Sequence, residues 1–248
     1  MKVKFWNLVL TYFFVGGNCN RPQIPMVEIS HFFTNSQINQ TLAVHNMYRK
    51  SVSPPAGDMT RMLWDEGLAE LATAYSRTCP TYSSDADTGD TGYLWIGENM
   101  FISSNVPLDD DYIPNMIKQW FDEGKDFSNG ICKGRTCGHY TQLVWGISYK
   151  VGCGMTTCDQ VDIGGTIHNT PTIVVCNYVP GGNFSPVPYK RGPACSLCQT
   201  GQICIDSLCE VANPKNFTVV TTPSNSWKCS PPWKLLITAA IMVLGFFA

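Results

Sequence analysis

Two histidines and one glutamate occupy positions that the sequence predicts to lie toward an apolar interior. His45 shares a helical stripe with Leu42, and Glu123 shares a stripe of a second predicted helix with Trp120, because residues three and four apart lie on one helix face. His139 stands in an otherwise apolar and aromatic run. An unpartnered polar group in such surroundings costs several kcal/mol, on the order of 2–7. Each side chain is therefore expected to be hydrogen-bonded, paired or bound to a metal ion.

These residue types suit two kinds of site. Two neutral imidazoles, from His45 and His139, can hold zinc or another divalent cation and leave positions for water. A nearby carboxylate can orient the imidazoles or take a proton from metal-bound water, which would be hydrolysis. The alternative is a buried hydrogen-bond network that fixes the fold and binds nothing. The sequence contains no strong nucleophile motif and no zinc-protease helix motif, which argues against catalysis.

Two long runs carry a resemblance to a known family. Residues 137–145, CGHYTQLVW, and residues 173–184, IVVCNYVPGGNF, resemble the two signatures of the CAP superfamily of cysteine-rich secretory, antigen-five and pathogenesis-related proteins. The resemblance extends from about Ser36 to Cys209. It implies an α+β fold, the α-β-α sandwich of this superfamily, followed by a small disulfide-rich hinge. The text Gly97-Glu98-Asn99 adds a fourth residue, and the resemblance implies that His45, Glu98, Glu123 and His139 meet in one central cleft.

The chain is most similar to the glioma pathogenesis-related branch of this superfamily. The shared text includes residues 149–153, YKVGC, and residues 188–192, PYKRG. Some members of the branch are lipid-anchored and implicated in sperm–egg contact, so the resemblance implies such a role, or one in defence. We expect a non-enzymatic cell-surface protein that binds a protein, glycan or lipid partner. The alternative is a metal-dependent hydrolase that uses the His/Glu cleft.

The local patterns predict several elements independently of the resemblance. Helices are expected at 36–50, at 65–78 with Asp65 as N-cap, and from about Pro114 onward. Strands are expected at 150–156 and 172–178, which are rich in β-branched residues. Three helices and few strands predict an α+β domain.

Twelve cysteines in a chain that opens with a secretory signal predict an oxidised framework. Cys19 and Cys229 would leave with the processed ends, and ten would remain. Spacing alone does not fix their pairing. The resemblance implies three bridges in the core and two in the hinge: Cys79–Cys153, Cys132–Cys137, Cys158–Cys176, Cys195–Cys204 and Cys198–Cys209.

The two ends of the chain indicate export and attachment to a membrane. Residues 1–19 have the charged start, short apolar run and small residues of a signal peptide. Residues 226–248 end in fourteen uncharged residues, and small residues precede them at Ser224, Asn225 and Ser226. This pattern fits a lipid-anchor signal with attachment at one of these three residues. The alternative interpretation is a membrane-spanning tail. We expect the chain to pass through the secretory pathway and to be lipid-anchored in the outer leaflet of the cell membrane. The alternatives are a single-pass membrane protein and a secreted protein.

The expected organisation is therefore a signal at 1–19, a lead at 20–35, a CAP domain at 36–188, a hinge at 189–211 and a stalk at 212–225, before the anchor signal. Asn39 and Asn216 lie in glycosylation sequons. The formal net charge of −2 provides no basic field for nucleic acid, so no nucleic-acid partner is expected.

Overall fold

A computed structural model describes residues 29–31, 33–83, 95–104 and 106–211. The predicted signal, stalk and anchor signal, together with Asn216 and the anchor sites Ser224, Asn225 and Ser226, lie outside the described residues. The elements, in chain order, are β1 Ile29–His31, α1 Asn35–Lys50, β2 Leu63–Trp64, α2 Glu66–Ser76, β3 Gly97–Ser103, α3 Tyr112–Asp122, a 3-10 turn Glu123–Asp126, β4 Phe127–Ser128, β5 Ile131–Cys132, α4 Gly138–Leu143, β6 Lys150–Thr157, β7 Gln160–Ile163, β8 Thr166–Asn169, β9 Thr172–Val179, β10 Gln202–Ile205 and β11 Leu208–Val211.

A central sheet lies between two helical layers. Its strand order is β1-β6-β9-β3, with β2 paired to β6 in parallel. Helix α2 packs on one face of the sheet, whereas α1, α3 and α4 lie over the other. This arrangement confirms the predicted α+β class and the α-β-α sandwich.

Helix α2 approaches the sheet so closely that two strand positions must be glycine. A Cβ atom added at Gly152 would lie 2.2 Å from the backbone nitrogen of Ala69. A Cβ atom added at Gly154 would lie 2.2 Å from the backbone nitrogen of Thr73. The opposite face of β6 carries larger side chains, including Val151, and these belong to the main core beneath α1 and α3.

The predicted helices agree with the structure except at their ends. Helix α1 begins at Asn35 behind a capping box made by Thr34 and Gln37. Asp65 caps α2 as predicted, because its Oδ1 accepts the N–H of Leu68 at 3.0 Å; the helix ends at Ser76, two residues earlier than expected. Helix α3 begins at Tyr112 and ends at Asp122. Glu123 therefore lies in the following 3-10 turn and not on a continuous helical stripe.

Both predicted strands are present and each extends one residue further, to Thr157 and to Val179. Two elements that position the site, β3 and α4, were not predicted as regular structure. The apolar run around His139 is a six-residue helix followed by a loop.

Three of the five predicted disulfides are confirmed and two are wrong. Cys132–Cys137, Cys195–Cys204 and Cys198–Cys209 form as expected, but the structure replaces Cys79–Cys153 and Cys158–Cys176 with Cys79–Cys158 and Cys153–Cys176.

The two incorrect pairings are explained by the sheet. Cys153 and Cys176 are directly opposed in the antiparallel β6–β9 pair, with Cα atoms 4.1 Å apart. Their side chains lie on the α1/α3 face, in the main core. Cys79 follows α2 on the other face, where it packs in a separate cluster with Cys158. A bridge from Cys79 to Cys153 would have to pass through the sheet.

The predicted hinge ends in a hairpin, β10–β11, that is fused to the main body. Cys209 donates its N–H to the Met59 carbonyl, and Arg61 donates its N–H to the Cys209 carbonyl, both at 2.8 Å. Leu208 is fully buried in the main core. Glu210 forms an ion pair with Arg61 at 2.9 Å. The hairpin therefore shares the core of the sandwich.

Candidate functional site

Glu123 and His139 form a direct pair at the junction of the 3-10 turn and α4. One carboxylate oxygen of Glu123 lies 2.6 Å from His139 Nδ1, and the other accepts the N–H groups of His139 and Tyr140 at 3.1 and 3.2 Å. Because a carboxylate only accepts, Nδ1 carries a proton. The Trp120 ring stacks on the imidazole at 6.1 Å between ring centroids. Glu123 and Trp120 therefore fix the orientation of a side chain that remains 31% exposed.

His45, in contrast, is fully buried and both its ring nitrogens are engaged. Nδ1 lies 2.7 Å from the Thr41 carbonyl, and Nε2 lies 3.0 Å from the Tyr178 hydroxyl. Since the carbonyl only accepts, Nδ1 donates to it and Nε2 accepts from Tyr178. Burial lowers the pKa of His45 to about 4, so the ring is neutral at physiological pH. No lone pair is left for a metal ion.

Tyr178 and Asn99 connect the two histidines. Asn99 Nδ2 donates to the Tyr178 hydroxyl at 3.4 Å and to the His139 carbonyl at 3.0 Å. Both side chains are fully buried, and burial raises the pKa of Tyr178. His45 is thus linked to the backbone of His139 through two intervening side chains.

Glu98 lies on the other face of the sheet. In the β3–β9 pair, Asn99 opposes Cys176, whereas Glu98 opposes Asn177. Successive side chains of a strand point to opposite faces. Asn99 faces the α1/α3 layer, where it meets Tyr178, so Glu98 belongs to the face covered by α2. The structure brings Glu123 and His139 into direct contact, and it connects His45 to the His139 backbone through Tyr178 and Asn99.

Arg49 holds several backbone segments of this region together, although the sequence predicted no role for it. Its fully buried guanidinium makes six hydrogen bonds to backbone carbonyl oxygens, including those of Thr60, Leu143 and Ser148. Burial lowers its pKa to about 9, which leaves it charged at neutral pH. Its place on the predicted α1 stripe, four residues after His45, was the available signal. Arg49 fixes the loop that follows α4.

The two family-signature runs contact one another. Gln142 Oε1 accepts the N–H of Gly182 at 2.7 Å, and Thr141 donates its hydroxyl proton to Asn183 at 2.6 Å. Gly97 must also be small, since a Cβ atom there would lie 2.0 Å from Gln142 Oε1. These contacts hold α4, and hence His139, against the end of β9.

A zinc ion held jointly by His45 and His139 does not fit this geometry, because both nitrogens of His45 are used within the protein. Within the part of the chain that the structure describes, the group with suitable ligand spacing is Cys195, Cys198 and Cys209. All three are in disulfides and cannot act as thiolate ligands.

Two clefts of the described residues lie elsewhere. A cleft of about 680 Å³ is lined by Trp145, Phe184, Tyr189, Lys190 and Arg191, among others. An adjoining cleft of about 270 Å³ shares five of its wall residues, Asn129, Val187, Pro188, Tyr189 and Arg191. Neither His45 nor His139 lines either cleft. In the sequence, this surface was indicated only by residues 188–192, PYKRG, which belong to the family resemblance.

Comparison with known proteins agrees with this fold. Residues 42–178 match the family model described as CAP, cysteine-rich secretory protein family. GLIPR1-like protein 1 of Homo sapiens is 38% identical over 197 residues, which cover 75% of this chain and 74% of that protein. Peptidase inhibitor 15 of Mus musculus is 33% identical, with 82% and 79% covered.

Two solved structures have the same fold. Na-ASP-1 superimposes with a TM-score of 0.60 and 27% identity, covering 76% of this chain and 51% of that chain. NaASP2, crystallised with Zn²⁺, superimposes with a TM-score of 0.55 and 25% identity, covering 72% and 97%. The chain belongs to the CAP family of cysteine-rich secretory proteins, and its similarity to GLIPR1-like protein 1 confirms the predicted branch.

Proteins of this family are generally secreted or extracellular. Among the described residues, no helix has both the length and the apolar character needed to cross a membrane. Asn39, the glycosylation site predicted on α1, is exposed there. Its modification stays a prediction.

Proposed function

We propose that this protein is a non-enzymatic binding protein of the cell exterior, attached to the outer leaflet through a lipid at Ser224, Asn225 or Ser226. Its partner is a protein, a glycan or a lipid on a facing surface, as in sperm–egg contact or defence. The observation that carries the proposal is the 680 Å³ cleft, a preformed concavity with exposed apolar and cationic walls. Binding sites in proteins are typically concave, mostly apolar and about 300–1,000 Å³ in volume.

The region around the cleft is suited to rigid presentation of a binding surface. Phe184, 64% exposed, packs its ring edge against the buried Trp145 at 4.8 Å between centroids. The backbone that follows Phe184 is also fixed, because Gly146 donates its N–H to the Pro188 carbonyl at 2.7 Å. Pre-ordering of this kind lowers the entropy cost of binding.

The polar site favours a structural role over catalysis. His45 is closed by two hydrogen bonds, and the His139 imidazole is held by Glu123. Zinc was the ion expected for the pair, and NaASP2 was crystallised with Zn²⁺. In this chain His139 would have to bind the ion without His45, so we propose that the site functions without a divalent ion.

The names of related proteins support a protein partner. Peptidase inhibitor 15 and peptidase inhibitor 16 are named for an action on other proteins. By analogy, a macromolecule is the partner proposed for the surface of this chain.

A cell-adhesion measurement tests the proposal. Cells that express the full chain are brought to non-expressing cells, and adhesion frequency is compared for wild type, Phe184→Asp and His139→Ala. We expect Phe184→Asp to reduce adhesion and His139→Ala to leave it unchanged. Equal adhesion for wild type and Phe184→Asp would contradict the cleft as the binding surface. Hydrolysis of a peptide or ester panel that His139→Ala abolishes would contradict a non-enzymatic role.

The anchor is tested separately. Phosphatidylinositol-specific phospholipase should release the protein from intact cells. Retention after treatment would instead support the membrane-spanning tail.

A further inference from the structure

The two adjoining clefts combine apolar walls with two exposed cationic side chains, Lys190 and Arg191. Of the described residues that line them, the only acid is Asp58. It is 6% exposed, and its Oδ1 accepts the Lys190 N–H at 2.9 Å. Lys190 and Arg191 are exposed. The surface therefore suits a ligand that offers an apolar segment beside negative charge.

The same chain carries a segment of that chemistry on its surface. Val106 and Leu108 are exposed at 50% and 42%. They are followed directly by three exposed aspartates, Asp109, Asp110 and Asp111. The segment 106–111 thus presents two apolar side chains next to three negative charges.

This segment is also held in shape. The Asp110 carbonyl accepts a hydrogen bond from Gln40 Nε2 at 3.1 Å. Asp109 accepts the N–H of Asp111 on its side chain at 3.2 Å and the N–H of Tyr112 on its carbonyl at 3.1 Å. A pre-ordered loop loses less entropy when it is bound.

The segment 106–111 cannot reach the cleft of its own molecule. The segment precedes the N-terminus of α3, while Gly124, beyond the C-terminus of α3, lines the second cleft. Eleven helical residues at about 1.5 Å per residue separate the two by roughly 16 Å. Complementary surfaces at opposite ends of one helix are the arrangement of a head-to-tail, heterologous contact between copies.

We propose that the segment 106–111 of one copy docks into the cleft of a second copy at Lys190 and Arg191. This rests on the cleft and the lipid anchor of the proposed function and goes beyond it, because the second copy lies on the same cell surface. The chain's own segment 212–225 is a poorer occupant, since it contains Lys215 and no acid. A six-residue contact is smaller than the roughly 1,000 Å² of a stable interface, so the association is weak in solution. Attachment of both copies to one surface raises their effective concentration.

Charge reversal on each side tests the contact. Two differently tagged full chains are expressed in one cell line, crosslinked at the surface and captured through one tag. We expect Lys190→Glu/Arg191→Glu in both copies to reduce co-capture about tenfold or more, because like charges would then oppose. Asp109→Lys/Asp110→Lys/Asp111→Lys in both copies should do the same. Mixing the two variants should restore co-capture, since one intact loop then meets one intact cleft.

Lys133→Glu/Arg135→Glu is the matched control. Both residues are exposed and line neither cleft, so this variant should keep wild-type co-capture. Failure of the mixed variants to restore co-capture would overturn the proposal, as would wild-type co-capture in either single reversal.

Adhesion to non-expressing cells keeps the two proposals distinguishable. The aspartate reversal should leave that adhesion unchanged while reducing co-capture. If Lys190→Glu/Arg191→Glu lowers adhesion to non-expressing cells but not co-capture, the cleft serves another macromolecule, and self-association through it is wrong.

Discussion

His45 and His139 lie at the two ends of one hydrogen-bonded chain, yet their surroundings are opposite. His45 is closed by the Thr41 carbonyl and the Tyr178 hydroxyl and is fully buried. His139 is held on one side by Glu123 and stays 31% exposed. Residue type predicted the same role for both. Burial and partners separate them into a structural histidine and an accessible one.

The largest expected effect on stability is at Arg49, which lies on α1 with the buried His45. Arg49→Met removes six hydrogen bonds and leaves several buried carbonyl groups unpaired, each worth about 1–3 kcal/mol. We expect a loss of at least about 4 kcal/mol in the free energy of unfolding, measured by urea denaturation. Arg49→Lys, which keeps the charge but fewer donors, should fall between this variant and wild type. A loss below about 1 kcal/mol would show that the buried charge contributes little.

Acid should destabilise the protein through His45. Its pKa is about 4 when folded and 6.5 in the unfolded chain. Above pH 6.5 the group is neutral in both states and costs nothing. Between pH 6.5 and 4 the unfolded chain binds a proton that the folded chain does not, so stability falls by up to about 3 kcal/mol. His45→Gln should show less of this acid-dependent loss in urea midpoints; an identical pH profile would contradict the assignment.

These two predictions also show what the sequence could reveal. The α1 stripe, the Asp65 cap and both long strands follow from periodicity and local chemistry, and they match the structure. Periodicity placed His45 inward but did not identify its partner. Tyr178 is 133 positions away and meets it only through tertiary packing.

The errors arise where strand register decides the outcome. The β3–β9 register places Asn99 on the face of the α1/α3 layer, where its side chain donates to the His139 carbonyl. In the same way, the β6–β9 register pairs Cys153 with Cys176. Neither register can be obtained from one sequence, because it depends on the turn geometry and on the hydrophobic faces of several strands together.

A smaller effect is expected at the link between the two histidines. Tyr178→Phe removes the hydroxyl that donates to His45 and accepts from Asn99, which leaves two buried polar groups short of a partner. The free energy of unfolding should fall by about 1–3 kcal/mol. The control is Tyr82→Phe, at a side chain 72% exposed, which should match wild type. Equal stability of Tyr178→Phe and wild type would show that the link is not needed.

The smallest effect on stability is expected at His139, the partly exposed histidine. His139→Ala removes a partly exposed ring and its bond to Glu123, while Glu123 keeps the two backbone N–H groups of α4. The loss should stay near 1 kcal/mol or less, measured by the same denaturation. A loss as large as that of Arg49→Met would remove the distinction between the two ends.

Nitrogen-15 NMR of the histidine rings, recorded on the labelled full chain with and without zinc, tests this distinction most directly. We expect His45 to be neutral with its proton on Nδ1 at every pH down to about 4, and we expect added zinc to leave both of its nitrogen signals unchanged. A His45 ring that titrates near pH 6.5, or whose Nε2 signal shifts when zinc is added, would show that His45 is not the closed, structural histidine.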